Sequence, residues 1–254
     1  MEIFDSHTHI NSSQYTNDLP DVIDRAFALD VNYMLIVAYD EKSTVKMLNL
    51  IEKYPNFYGA VGIHPDSALL YDDKKEEWLR RILVHPKVKV LGEIGLDYHN
   101  DVNHDAQKEV FIRQLNLARE LQLPVTIHNR DAIFDTYPIL KEAEVGKFGG
   151  IMHSFNGDSI WAQKFLDLGM YLSYSGVVTF GNAKEVLESA LKTPVEKMLV
   201  ETDAPYLTPL PFRGRINEPG MTRYTLEFLA QKMGLSPQKL AQFTKENTER
   251  ILKI

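Results

Sequence analysis

Eight short apolar runs, each followed by a segment with helical spacing of its apolar residues, constrain the fold of this chain more than any other feature. They are EIFDSH at 2–7, YMLIVA at 33–38, YGAVGIH at 58–64, VKVLGEIG at 88–95, PVTIH at 124–128, GGIMHSF at 149–155, MYLSYSG at 170–176 and KMLVETD at 197–203. Strand-like runs alternating with helical segments are the pattern of βα units. The clearest helix runs from Asp105 to Leu121, with Phe111, Leu115, Ala118 and Leu121 on one face. A last helix is cued by SPQKLAQF, where Ser236 is the N-cap and Pro237 the first helical residue, and it carries Leu240, Phe243 and Ile251. Eight such units in 254 residues, with no linker or low-complexity tract between them, predict an α/β chain folded as one (β/α)8 TIM barrel over 1–254. The competitor is an open doubly wound sheet. A dinucleotide-binding version of it would carry G-x-G-x-x-G after the first strand, where this chain has DSHTHINSS.

A barrel places its chemistry at the C-terminal ends of the strands. His7 and His9 end the first run, His64 the third and His128 the fifth; Glu93 lies near the end of the fourth, His153 closes the sixth and Asp203 the eighth. Residues two apart on a strand share a face, so His7 and His9 are expected to point together into the mouth. Each of these polar groups follows apolar residues, where an uncompensated charge is costly, and a shared cation would compensate them all. The simpler readings are an arginine-held carboxylate at Glu93 and a turn cap at Asp203 before Pro205. His85 precedes a strand, at the wrong end of its unit, and His99 and His104 read as loop.

The chain has no cysteine, which excludes disulfides, thiolate sites and cysteine nucleophiles, so a metal here needs nitrogen and oxygen ligands. A net charge of −7 means that contact with nucleic acid must rest on a local basic site or on bound cations. No apolar run reaches the roughly 18 residues of a membrane span, and the N-terminus carries no leader pattern, so a cytoplasmic location away from membranes is the default expectation.

Taken in order, DSHTH, GIHP, GEIGLDY, LPVTIHNRDA, GGIMHSF, ETDAPYLTP and RGRINEP resemble the motifs of the TatD-type metal-dependent hydrolases, from Phe4 to Pro219. That family has a (β/α)8 barrel of the amidohydrolase-like group and includes divalent-metal deoxyribonucleases. The resemblance implies one metal held by His7, His9, Glu93 and Asp203 and a second by Glu93, His128 and His153, with Glu93 bridging where other amidohydrolases use a carboxylated lysine. Beside divalent charge Asp203 stays ionised and is expected to be the catalytic proton acceptor. Arg130, two residues beyond His128, is placed to reach a phosphate, His64 is expected to contact substrate or a metal-bound water, and Arg213 and Arg215 are further basic substrate contacts. The cofactors are then two divalent cations per chain, among Zn, Mn, Ni, Co or Mg, and the partner is DNA as substrate, single-stranded or at strand ends, cut exonucleolytically. No obligate protein partner is evident.

The departures bear on substrate. Asp66 stands where the family often has histidine, Ser154 where it often has cysteine, and Ile216 where a basic residue is usual. The lost charge keeps a second chemistry open: hydrolysis of a carboxylic ester or amide, such as a D-aminoacyl-tRNA. A non-catalytic binding module with a structural metal is disfavoured, because six ligands shared by two ions leave open positions. Tyr98, Phe155 and Tyr206 are loop aromatics that either stack on bases or pack.

Overall fold

A computed structural model of the chain describes residues 1–99 and 103–254. Eight strands pair in parallel and in chain order: β1 (Ile3–Thr8), β2 (Val31–Ala38), β3 (Phe57–Val61), β4 (Val88–Asp97), β5 (Val125–Arg130), β6 (Gly150–Met152), β7 (Tyr171–Tyr174) and β8 (Met198–Val200). Helices α1 (Leu19–Ala28), α2 (Glu41–Lys53), α3 (Asp73–Leu83), α4 (His104–Leu121), α5 (Ile133–Glu142), α6 (Ser159–Asp167) and α7 (Lys184–Lys192) follow β1 to β7 in turn, and α8 (Thr222–Met233) and α9 (Pro237–Leu252) end the chain. The (β/α)8 barrel read from the sequence is the fold observed.

Local chemistry sets the helix ends. Asn103 caps α4 by accepting from the backbone N–H groups of Asp105 and Ala106, so the helix starts at His104, one residue earlier than the sequence suggests. His104 is therefore helical rather than loop, while His85 and His99 lie outside helices and strands. Ser236 caps α9 through Lys239 N, with Pro237 as its first residue.

One apolar cluster fills the space between sheet and helices. A second lies inside the barrel, where Phe4, Leu35, Val37, Val90, Ile151 and Leu199 pack with Ile251 and Leu252 from the end of α9. Burying such side chains is worth about 1.5–3 kcal/mol each. That plug leaves the opposite end, where the strands finish, free for polar groups.

The strands are not regular there. Register shifts occur in β1 between Asp5 and Thr8 and in β4 between Leu91 and Ile94. Ser6 meets Ser173 of β7 at 2.8 Å and the adjacent His7 reaches Thr126 of β5 at 3.4 Å, so two successive residues of β1 point inward. Simple alternation, the basis on which His7 and His9 were expected to share a face, fails at this point; the irregularity turns His7 in, and His9 lies just past the strand. In β4, Gly95 adopts a φ of +146°, and a Cβ there would stand 2.0 Å from His128 O. Only glycine lets β5 come that close, which sets His128 beside Glu93.

β1 and β8 close the barrel mostly through the segment beyond β8. Asp203 N donates to His7 O at 2.9 Å, and His9 N donates to Ala204 O at 2.8 Å. Below them, Asp5 accepts from both the N–H and the hydroxyl of Thr202. Among the described residues no helix is long and apolar enough to cross a membrane.

Candidate metal centre

Glu93 stands at the middle of the mouth with both carboxylate oxygens engaged. Its Oε2 lies 3.4 Å from His7 Nε2 and 3.6 Å from His9 Nε2. Its Oε1 lies 2.7 Å from His128 Nδ1, 2.9 Å from His153 Nε2 and 3.9 Å from His64 Nε2. Asp203 Oδ1 completes the first group, 3.9 Å from His7 Nε2 and 3.5 Å from His9 Nε2, and the two Nε2 atoms are 3.4 Å apart. All six side chains that the sequence suggested as ligands thus converge, although Asp203 and His153 sit on loops just past the short strands β8 and β6.

The donor set fits a divalent cation. Four nitrogen and oxygen ligands about 2.1 Å from one ion in tetrahedral array stand about 3.4 Å from one another, close to the spacing in the His7–His9–Glu93–Asp203 group. Groups of histidine and carboxylate atoms able to share an ion also include His7–His153–Asp203 and His64–Glu93–His128.

Each imidazole is oriented from behind. His9 Nδ1 pairs with Val37 O at 3.1 Å and His7 Nδ1 lies near the Thr126 hydroxyl, leaving both Nε2 atoms for the site. His153 Nδ1 pairs with Glu201 Oε1 at 3.0 Å, and His128 Nε2 with Asp97 Oδ2 at 2.9 Å. Sequence reasoning missed Glu201 and Asp97. The available signal was a second carboxylate inside the same strand-end motifs, VETD and GLDY. Glu201 is fully buried and is further fixed by Ser154 N at 2.9 Å.

The charges support one another. Burial opposes ionisation of Glu93, but His153, His128 and His7 outweigh it and hold the carboxyl well below its ordinary range. Asp203 is likewise opposed by burial yet lowered, chiefly by its hydrogen bond with His9. Burial also disfavours protonation of His128, and Asp97 and Glu93 overcome it, raising that imidazole to about 9. His153 is raised well above its usual value against burial by Glu93 and Glu201, whereas His7 is lowered by burial and by His153.

A cavity of ≈ 720 Å³ opens over this cluster. Among the described residues its lining holds four carboxylates, Asp66, Glu93, Asp97 and Asp203, against one guanidinium, Arg130. An anionic substrate would be repelled here unless cations offset the carboxylates. His64 borders the cavity, its Nδ1 accepting from Asp66 N at 3.2 Å, and burial lowers its pKa. It is therefore neutral, with the proton on the inward-facing Nε2. Arg213 and Arg215 lie outside the lining, exposed on the loop after β8 with their guanidinium groups over Phe180 and Phe212. Ile216 is exposed beside them. Of the aromatics, Phe155 is buried in the core, Tyr98 stacks on His104 and donates to Asp135, and Tyr206 lines the cavity, as does Tyr39, which sequence reasoning passed over.

The chain is similar to known proteins along nearly its whole length. The family model described as TatD related DNase matches residues 4–253. The uncharacterized metal-dependent hydrolase YabD of Bacillus subtilis is 42% identical over 253 residues, 99% of each chain. The 3'-5' ssDNA/RNA exonuclease TatD of Salmonella typhimurium is 33% identical over 260 residues, again 99% of each. The crystal structure of YJJV, a TatD homologue from Escherichia coli, superposes with a TM-score of 0.93 at 27% identity, covering 99% of this chain and 98% of that one.

Proposed function

This chain belongs to the TatD-related DNase family and is a metal-dependent hydrolase, and from that premise we propose that it hydrolyses phosphodiester bonds of DNA, removing nucleotides from single-stranded ends. One observation carries the reading: Glu93 presents one oxygen to His7 and His9 and the other to His128 and His153, at the floor of an open cavity that also holds Arg130. Two divalent cations, one held by His7, His9, Glu93 and Asp203 and one by Glu93, His128 and His153, are the cofactors of this reading. When bound, such ions acidify water and offset charge on a phosphoryl oxygen.

The remaining work falls to the side chains. Asp203 keeps its carboxylate ionised and partly exposed to the cavity, so it can orient a water molecule and accept its proton as the oxygen attacks phosphorus. Arg130 offers paired donors to a non-bridging phosphate oxygen. His64 Nε2–H donates to a second phosphate oxygen or to the departing 3' oxygen, which leaves as a hydroxyl. A cavity walled by the barrel mouth accepts a strand terminus more readily than an intact duplex. The name of the Salmonella relative, a 3'-5' ssDNA/RNA exonuclease, supports the same substrate class.

The test is digestion of end-labelled single-stranded DNA by the purified protein with Mn²⁺. The expected result is shortening in single-nucleotide steps, slowed by about 10²–10⁴-fold in Asp203→Asn. A second reading, hydrolysis of an aminoacyl ester, is favoured by the single guanidinium in the lining. Intact DNA alongside a cleaved aminoacyl-tRNA would replace the first reading with the second.

A further inference from the structure

Two partly exposed tyrosines border the cavity over the centre. Tyr39, just past β2, and Tyr206, three residues beyond Asp203, both line the cavity and are 38% and 56% exposed. The Tyr39 ring packs edge-on to His9 at 5.6 Å. Both residues share this lining with Glu93 and Arg130. Neither hydroxyl has a hydrogen-bond partner among the described residues.

Their backbones, by contrast, are fixed. Tyr39 N donates to Ser43 Oγ at 3.2 Å, and Tyr206 N donates to Asp203 O at 2.9 Å. The fully buried Asn217 donates its side-chain amide to Tyr206 O at 2.5 Å. Rigid backbones carrying rings with free faces make a preorganised apolar platform, and such a platform loses little entropy on accepting a flat ligand.

We infer that Tyr39 and Tyr206 hold the nucleobase of the terminal nucleotide while its phosphate lies over Glu93 and Arg130; the inference rests on the nucleic-acid reading above. Stacking on π-faces tolerates every base, so the pair confers preference for a nucleotide over a bare sugar phosphate without selecting sequence.

Calorimetric titration of dAMP and of 2-deoxyribose 5-phosphate, with Mn²⁺ present, tests this on wild type, Tyr39→Ala, Tyr206→Ala and the two Tyr→Phe variants. The wild type should bind dAMP more tightly by on the order of 10- to 100-fold. Each alanine variant should narrow that gap, and each phenylalanine variant should keep it, since the ring and not the hydroxyl is responsible. No gap in the wild type, or a gap that survives both alanine variants, overturns the inference. If the gap behaves as expected while single-stranded DNA stays intact, the base-holding pair stands and the phosphodiesterase reading falls.

Discussion

The two imidazole sets that flank Glu93 differ in what backs them. Behind His7 and His9 stand a threonine hydroxyl and a backbone carbonyl; behind His128 and His153 stand the carboxylates of Asp97 and Glu201. A neutral partner fixes which ring nitrogen faces the site, whereas an anionic partner also makes the imidazole more basic. Without metal, His128 and His153 therefore hold protons and supply positive charge beside Glu93; across the site His9 is also raised, by Asp203 and Glu93 against burial, while His7 is pushed towards the neutral form. The difference teaches that the proposed two ions would enter unlike environments, one displacing protons from two carboxylate-backed imidazoles and one meeting a single raised imidazole beside a lowered one.

Glu93 belongs to both sides, so its loss should have the largest effect. In Glu93→Gln, calorimetry should show weakened metal binding on both sides, by more than the about 10- to 100-fold typical of removing an outer partner. If only one class of metal were lost, Glu93 would not join the two halves.

Acidity should separate the halves next. The sign follows from the shift: an imidazole raised to about 9 keeps its proton through neutral pH, and metal must displace it. Affinity on the His128 side should rise with pH up to about 9 by as much as about tenfold per unit for each proton displaced, then level off. The His7 and His9 side should change less steeply, because only His9 of that pair is raised and His7 is lowered. Titrations in buffers of different ionisation enthalpy count the protons released, and equal release from both sides would erase the contrast.

A smaller effect is expected from the backing groups themselves. Asp97→Asn retains an acceptor for His128 Nε2–H but removes the charge, and should weaken binding on that side by about 10- to 100-fold. Thr126→Val should cost less, because the hydroxyl it removes is a neutral and distant partner at 3.4 Å. Matching losses from the two variants would show that charge behind the ring is irrelevant.

The barrel was legible because buried parallel strands write themselves as continuous apolar runs, and a polar residue that ends such a run stands out. That contrast exposed all six side chains that converge at the mouth. The register shifts at His7 and Glu93 were not legible, since nothing in a local pattern says where a strand slips against its neighbour. Asp97 and Glu201 were hidden by their own neighbours: beside Glu93 and Asp203 they read as further loop acids, and only the fold reveals which imidazole each one faces. Arg213 and Arg215 share a motif with nearby site residues, yet the long loop after β8 carries them outside the cavity, a path that motif spacing does not encode.

The closure of β1 on the segment after β8 ties the first histidines to the last carboxylate through main-chain hydrogen bonds. A chain still emerging from the ribosome can thus form βα units one after another and bring Glu93, His128 and His153 together, but the group around His7 and His9 lacks its fourth ligand-type side chain until Asp203 has been released. The proposed ion on the His7 and His9 side would gain its full ligand set only once β8 and the segment after it are in place.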